Sequence, residues 1–244
     1  MIAWVIWKWP ESHWRMLRWA MLVFFAGENA CAVNYLFYGL ENFTWEFWHC
    51  YGMLIAFGLT FLALLDFLDQ QLIHYSQPDK ACAWFSLCKS CYKHKPMACN
   101  MRMLFIYTVP GLVVLCAIPL SAPFLDFTCV GGVYGHDVVF THALQQQLFE
   151  IRIYPILAML CFAWVWIQLI RRKEAALVVS MPFLAAGLGL LGFSMMRFVL
   201  FWSFSGNILW AEVWEEITEF LFITLMVVLV RFRWSRGAAA SCLP

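Results

Sequence analysis

The chain has 244 residues, of which 64% are hydrophobic and only 13% are charged. A soluble domain of this size would be about half apolar and about a quarter charged, so the composition predicts a polytopic membrane protein. The formal net charge of +1 provides no broad basic surface, which argues against a nucleic-acid partner.

The apolar stretches predict an all-α bundle of about six transmembrane helices, at about 20 residues per crossing. Residues 1–15, rich in tryptophan, are expected to form a short interfacial segment rather than a cleaved signal peptide. The expected spans follow at residues 16–40, 47–68, 103–120, 148–170, 175–204 and 208–230. Pro110 and Pro119 are expected to kink or end the third span, because proline removes a helix hydrogen bond. No internal repeat or linker divides the sequence, which predicts one transmembrane domain over residues 1–244.

Lysine and arginine are confined to alternate loops, which predicts the orientation of the bundle. The basic segments are residues 8–18, 80–102, 171–173 and 231–236. The loops that contain neither lysine nor arginine are 41–46, 121–147 and 205–207. With six spans, both termini and the loop 70–102 are therefore expected on the cytoplasmic side, and the loop 121–147 outside. A compact chain without a targeting signal indicates a bacterial inner membrane.

The sixth span carries the densest group of charges inside any apolar stretch. Its glutamates are Glu212, Glu215, Glu216 and Glu219. At about 100° per residue they fall within an arc of roughly 100°, on one stripe of the helix. Acidic groups in a span are energetically expensive, so they normally face a bundle interior, a water-filled cavity or a cation. In the predicted orientation they occupy the outer half of the membrane.

Arg197 on the fifth span and Glu28 on the first are the expected partners of this stripe. A tight turn joins the fifth and sixth spans, so Arg197 is expected to reach Glu212, Glu216 or Glu219. Glu28 lies near the midplane, and the glycine before it would let a neighbouring backbone approach closely. If Glu28 faces the stripe, the carboxylates would share a proton or a metal. The predicted ion- or ligand-binding residues are Glu28, Arg197, Glu212, Glu216 and Glu219; a structural ion pair between helices is the alternative.

More polar residues gather near the predicted outer surface. They are Glu41, Glu46, His49, Asp126, His136, Asp137, His142, Glu150 and Arg152. Histidines and carboxylates are the ligands of zinc and di-iron sites. Di-iron bundles use two Glu-x-x-His motifs, and Glu46-x-x-His49 supplies one, so solvated loop residues are the favoured interpretation. Cys50 and Cys129 are the cysteines best placed for an external disulfide.

The cytoplasmic loop carries the sharpest local pattern. Cys88-x-x-Cys91 is the spacing that suits tetrahedral zinc, and His94 with Cys99 or Cys82 would complete four ligands. Cytosolic thiols stay reduced, which favours a metal over disulfides on that side. The full spacing matches no standard zinc finger, so a structural zinc and ordinary free thiols both stay open.

The predicted function is that of an integral membrane protein that binds or passes a cation, a proton or a small polar ligand through an outward-facing acidic cavity. Such a protein would act as a transporter or a sensor. The alternative is a non-catalytic accessory subunit of a larger membrane complex, in which Arg197 and the glutamates only fasten helices. The third class is a metal-dependent membrane enzyme, although no catalytic motif such as HExxH or GxSxG is present. The expected partners are the lipid bilayer and, for an accessory subunit, other membrane proteins.

Overall fold

A computed structural model describes most of the chain. The described residues are 7, 9–38, 42–74, 100–125, 127–133, 136–142, 144–171, 176–204 and 208–240. Five helices are long and apolar enough to cross a membrane: Ser12–Tyr38, Phe43–Ile73, Arg102–Ser121, Leu144–Ile170 and Val178–Ser203. They coincide with the first five predicted spans, each displaced by a few residues at its ends. The helical composition therefore indicates an integral membrane protein.

The helices are numbered here in chain order. They are α1 (Ser12–Tyr38), α2 (Phe43–Leu68), α3 (Asn100–Leu115), α4 (Ala117–Ser121), α5 (Leu144–Leu148), α6 (Tyr154–Ile170), α7 (Ala176–Ser203) and α8 (Ile208–Ala240). π-Helical turns at Asp69–Ile73 and Phe149–Ile153 extend α2 and join α5 to α6. The middle of α8 is apolar, with the glutamates on its N-terminal side and Arg231 and Arg233 on its C-terminal side. α8 is not among the five membrane-length apolar helices.

Proline explains where the third span breaks. α3 ends at Leu115, four residues before Pro119, whose ring would clash with the Leu115 carbonyl if the helix continued. Pro110 lies inside α3, where it removes the amide that would bond to the Ile106 carbonyl. The indole Nε1–H of Trp166 donates to that carbonyl at 3.1 Å, which fastens α6 to α3.

Glycine contacts bring three helices close together. A Cβ on Gly52 of α2 would lie 2.8 Å from the Cα of Gly27 in α1. This confirms the prediction that the glycine before Glu28 admits a neighbouring backbone. A Cβ on Gly189 of α7 would likewise lie 3.0 Å from the Cα of Gly58 in α2. Such close approaches stabilise helix pairs in lipid through van der Waals packing.

Neighbouring helices pack in the order α1, α2, α7, α6 and α3. α8 contacts α7 and lies over the α1–α2 pair, since the Phe222 ring is 5.0 Å from that of Phe24 in α1 and 5.3 Å from that of Phe57 in α2. Further along α8, Arg233 Nη2 donates to Glu11 Oε1, just before α1, at 2.8 Å. α1, α2, α7 and α8 thus enclose one apolar core, and α3, α6 and α7 enclose a second.

The segment 121–147, predicted as a loop, contains a β-hairpin. β1 (Phe127–Val133) pairs antiparallel with β2 (His136–His142), so that Phe127 lies opposite His142. Both strands are rich in β-branched and aromatic residues, which favour this extended conformation. β1 also contacts α8, which places the hairpin beside this helix.

Candidate functional site

His49 of α2 is the centre of a buried group of charged side chains. Its Nδ1 lies 3.3 Å from the carbonyl oxygen of Gly27, which can only accept a hydrogen bond, so Nδ1 carries the proton of this bond. Its Nε2 lies 3.9 Å from Glu219 Oε1 and 4.0 Å from Glu215 Oε1. Glu28 Oε1 lies 3.9 Å from Nδ1. Three carboxylates from two other helices therefore surround one imidazole, which is only 5% exposed as a residue.

Local packing explains why these groups meet. A Cβ on Gly27 would lie 3.2 Å from the His49 carbonyl oxygen, so the backbones of α1 and α2 are in contact at the residue before Glu28. Glu215 and Glu219 are four residues apart and project from one face of α8. That face forms the buried stripe of the helix: Ala211, Glu215, Glu219, Phe222 and Met226. Apolar packing on either side of the two glutamates thus carries them into the bundle.

Arg197 of α7 connects this group to a further carboxylate. Its Nη1 donates to Oε2 of Glu215, and its Nε lies 3.3 Å from Oε1 of Glu150. Arg197 is 3% exposed and Glu150 is 1% exposed. The rings of Phe193 and Phe201 lie 5.3 and 5.8 Å from the guanidinium carbon, within reach of cation–π attraction. Charges buried this deeply persist only when they are paired.

The π-helical turn between α5 and α6 places Glu150 inside the bundle, and such turns often occur at functional sites. Glu150 Oε1 accepts from Gln146 Nε2 at 3.2 Å and from the Cys50 thiol at 3.6 Å. Gln146 Nε2 also lies 3.2 Å from Glu46 Oε1, and Asn34 Nδ2 donates to Glu46 Oε2 at 3.4 Å. A chain of polar groups therefore runs from Glu150 to the connection between α1 and α2.

We define the cluster as Glu28, His49, Glu150, Arg197, Glu215 and Glu219. Among the predicted site residues, Glu28 and Glu219 lie beside His49. Glu216 is exposed, because it lies about 100° around α8 from its neighbour Glu215, off the buried stripe. The backbone of Glu212 belongs to α8, but its side chain lies outside the part that the structure describes.

Arg197 pairs with Glu215, the one glutamate of the stripe that the predicted ion-binding set left out. Its second partner, Glu150, and the central His49 were both assigned to the solvated outer surface by the sequence. Both are buried instead. One signal that marks them is spacing: Glu46, His49 and Cys50 share a helix face at i, i+3 and i+4, as do Gln146 and Glu150 at i and i+4.

Two predictions concerned cysteines. Cys50 is buried as a free thiol within the bundle. The prediction of an external disulfide between Cys50 and Cys129 of β1 is therefore wrong. The zinc ligands proposed for the cytoplasmic loop lie outside the described residues: Cys88, Cys91, His94 and Cys99. A structural zinc in that loop stays a prediction.

Part of the cluster also has the geometry of a metal site. Glu28, His49 and Glu219 each offer one donor atom, and the three atoms lie within 4.8 Å of one another. His49 and Glu219 are buried, and the side chain of Glu28 is 30% exposed. The donors come from three different helices.

No protein-family model, curated protein or solved structure matches the chain.

Proposed function

We propose that this protein binds a cation or a proton in the buried cluster, and that it works as a transporter or a sensor of that ion. The observation that carries the proposal is the surroundings of His49. Carboxylate oxygens of Glu28, Glu215 and Glu219 lie within 4.0 Å of its ring nitrogens, and His49 and Glu28 belong to two of the helices that are long and apolar enough to cross a membrane. Ionisable groups so placed are, by default, candidates for ion or proton pathways.

The charge balance of the cluster supports binding. Four of its members are carboxylates, whereas one is an arginine and one is a histidine. With every carboxylate ionised and His49 protonated, the cluster would still carry a net charge of −2. Excess charge away from water is costly, so uptake of a cation or of protons would neutralise the cluster.

We propose that α8 is the sixth span and that both termini are cytoplasmic. The contacts of α8 with α1 support this, because Glu219 lies near Glu28 and Arg233 lies beside Glu11. These contacts are 14 residues apart on α8, or about 21 Å along the axis. In this orientation the cluster lies in the outer half of the membrane, and the polar chain toward α1 and α2 leads from it to the outer surface.

Neutralisation would act through the packing of α8. Glu215 and Glu219 face α2 and α7, so their charge determines how closely α8 can approach those helices. An ion that binds the cluster more tightly in one packing than in another shifts the population between them. A transporter would then release the ion on the inner side, whereas a sensor would only pass on the change in packing.

Thermal unfolding of the purified protein in detergent tests the proposal. Wild type, Glu28→Gln and Glu219→Gln are compared across pH and with added Na⁺, K⁺, Mg²⁺ or Zn²⁺. We expect one cation, or a pH change, to raise the melting temperature of wild type by several degrees. A ligand present at about 100 times its dissociation constant stabilises the folded state by about 2.7 kcal/mol. Both variants should lose this response.

Glu216→Gln is the matched control. It makes the same chemical change on the same turn of α8, but at an exposed side chain, so it should respond as wild type does. If neither wild type nor any variant responds to pH or to an added cation, the cluster takes up no ion and its carboxylates serve only as contacts between helices. That result would favour the accessory-subunit function.

A further inference from the structure

We infer that Glu28, His49 and Glu219 form a site for a divalent transition-metal ion such as Zn²⁺ or Mn²⁺. The inference rests on the proposed function, because it names the cation that the cluster takes. The three donor atoms lie within 4.8 Å of one another. Two ligands of such an ion lie at most about 4.2 Å apart, twice a bond of about 2.1 Å. The three side chains therefore have to rotate closer together to share one ion.

The imidazole is oriented as a metal ligand would be. Nδ1 donates to the Gly27 carbonyl at 3.3 Å, so Nε2 presents its lone pair toward Glu215 and Glu219. Metal-binding histidines almost always donate their other ring N–H to a carbonyl or carboxylate, which fixes the tautomer and the ring orientation. The backbone contact of α1 with α2 therefore prepares His49 to coordinate through Nε2. Glu219 Oε1 already lies 3.9 Å from this nitrogen, whereas Glu28 Oε1 lies 3.9 Å from Nδ1 and has to turn toward Nε2 to join the same ion.

Glu28 supplies an independent observation. Its Oε1 is buried and has no hydrogen-bond partner within the described part of the structure. A buried carboxylate oxygen without a donor is destabilising. A metal ion beside His49 would satisfy this oxygen.

The donor set selects the class of metal. One imidazole with two carboxylates suits Zn²⁺, Mn²⁺ or Fe²⁺, whereas Ca²⁺ takes about six to eight oxygen ligands. Glu215 Oε1 lies 4.0 Å from Nε2 and is placed to add a further oxygen. Its other oxygen accepts from Arg197, which orients the carboxylate.

Metal titration of the full chain tests the site. All proteins carry Cys88→Ser and Cys91→Ser, so that zinc held by the cytoplasmic loop is not counted. Each protein is stripped with a chelator and titrated with Zn²⁺ against a chromophoric competitor, and Mn²⁺ binding is followed by electron paramagnetic resonance. We expect one ion per chain in the parent protein. Affinity should fall by more than about tenfold in His49→Gln and Glu28→Gln, since losing even an outer partner of a ligand costs about 10–100-fold.

Glu216→Gln again serves as the control and should bind like the parent, because it removes a nearby charge without removing a ligand. Glu28→Gln is the variant expected to keep the native fold, because the Glu28 side chain is 30% exposed, and circular dichroism with a melting curve checks the fold of each variant.

Equal affinity in His49→Gln, Glu28→Gln and the parent would overturn the site. If the parent binds neither metal but keeps a pH or monovalent-cation response that Glu219→Gln lacks, the metal site fails and the proposed function stands. If both the metal and that response are absent, both fail.

Discussion

At the scale of single residues, Arg197 joins two carboxylates that come from distant parts of the chain. It donates to Glu215 on α8 and lies 3.3 Å from Glu150 in the π-helical turn. Removing one partner of a buried ion pair leaves the other charge uncompensated and costs roughly 3–5 kcal/mol, whereas replacing both is often close to neutral. Arg197 is therefore the residue whose loss should unbalance the cluster most.

We expect Arg197→Gln to lower the free energy of unfolding by about 3–5 kcal/mol, because two buried carboxylates lose their cation. The double variant Arg197→Gln/Glu215→Gln should recover a large part of this loss. Chemical unfolding in mixed detergent micelles measures both, and Arg231→Gln, an exposed arginine on α8, is the control. A single variant as stable as wild type would show that Arg197 does not neutralise these carboxylates.

Sequence reasoning identified Glu28, Arg197 and Glu219 because charged residues inside apolar stretches are rare. It placed His49 and Glu150 in solvent because both lie near the predicted ends of spans, where exposed and buried positions share the same local pattern. Their burial depends on which helices pack against them. The spacing shows that these residues share a helix face with other polar residues, but only the tertiary structure shows that the face is buried.

At the scale of elements, the contact between Gly27 of α1 and Gly52 of α2 positions the site. Gly27 precedes Glu28, and a Cβ on Gly27 would lie 3.2 Å from the His49 carbonyl oxygen. Any separation of these helices would therefore pull Glu28 away from the imidazole.

We expect Gly52→Ala to destabilise the protein by about 1–3 kcal/mol, the usual cost of overpacking, because its Cβ would lie 2.8 Å from the Gly27 Cα. It should also weaken the cation response of the cluster. Gly192→Ala on α7 is the control, since a Cβ there meets nothing within 4 Å and should be neutral or slightly stabilising. Melting curves of both variants, with and without the cation, provide the measurement. Identical curves for the two alanine variants would mean that the glycine contact does not hold α1 against α2.

The helices could be located from the sequence, but their ends could not. α2 begins at Phe43, earlier than the predicted 47, because the Asn42 side chain accepts a hydrogen bond from the Thr44 amide and caps the helix before the apolar run begins. A search for apolar periodicity does not detect a first helical turn that includes polar residues. The β-hairpin at Phe127–Val133 and His136–His142 was missed for a related reason, since its short strands carry less signal than a membrane-length helix.

At the scale of the whole molecule, the orientation of the bundle depends on whether α8 crosses the membrane. If it does, six spans bring all the basic segments to one side. Reporter fusions decide this: a fluorescent protein at the C-terminus should fluoresce, and alkaline phosphatase fused after residue 206 should be active. Phosphatase fused after residue 172, in a basic segment, should be inactive. An active phosphatase at the C-terminus would contradict the six-span arrangement.

The most direct measurement of ion binding in the cluster is protection of Glu28 and Glu219 from dicyclohexylcarbodiimide in the wild-type protein. This reagent enters apolar regions and modifies protonated carboxyl groups, and mass spectrometry locates the product. We predict labelling of both residues at mildly acidic pH and a saturable decrease as the bound cation displaces protons. The exposed Glu216 should show no such protection. Labelling of Glu28 and Glu219 that no cation and no change of pH alters would contradict an ion-binding role for the cluster.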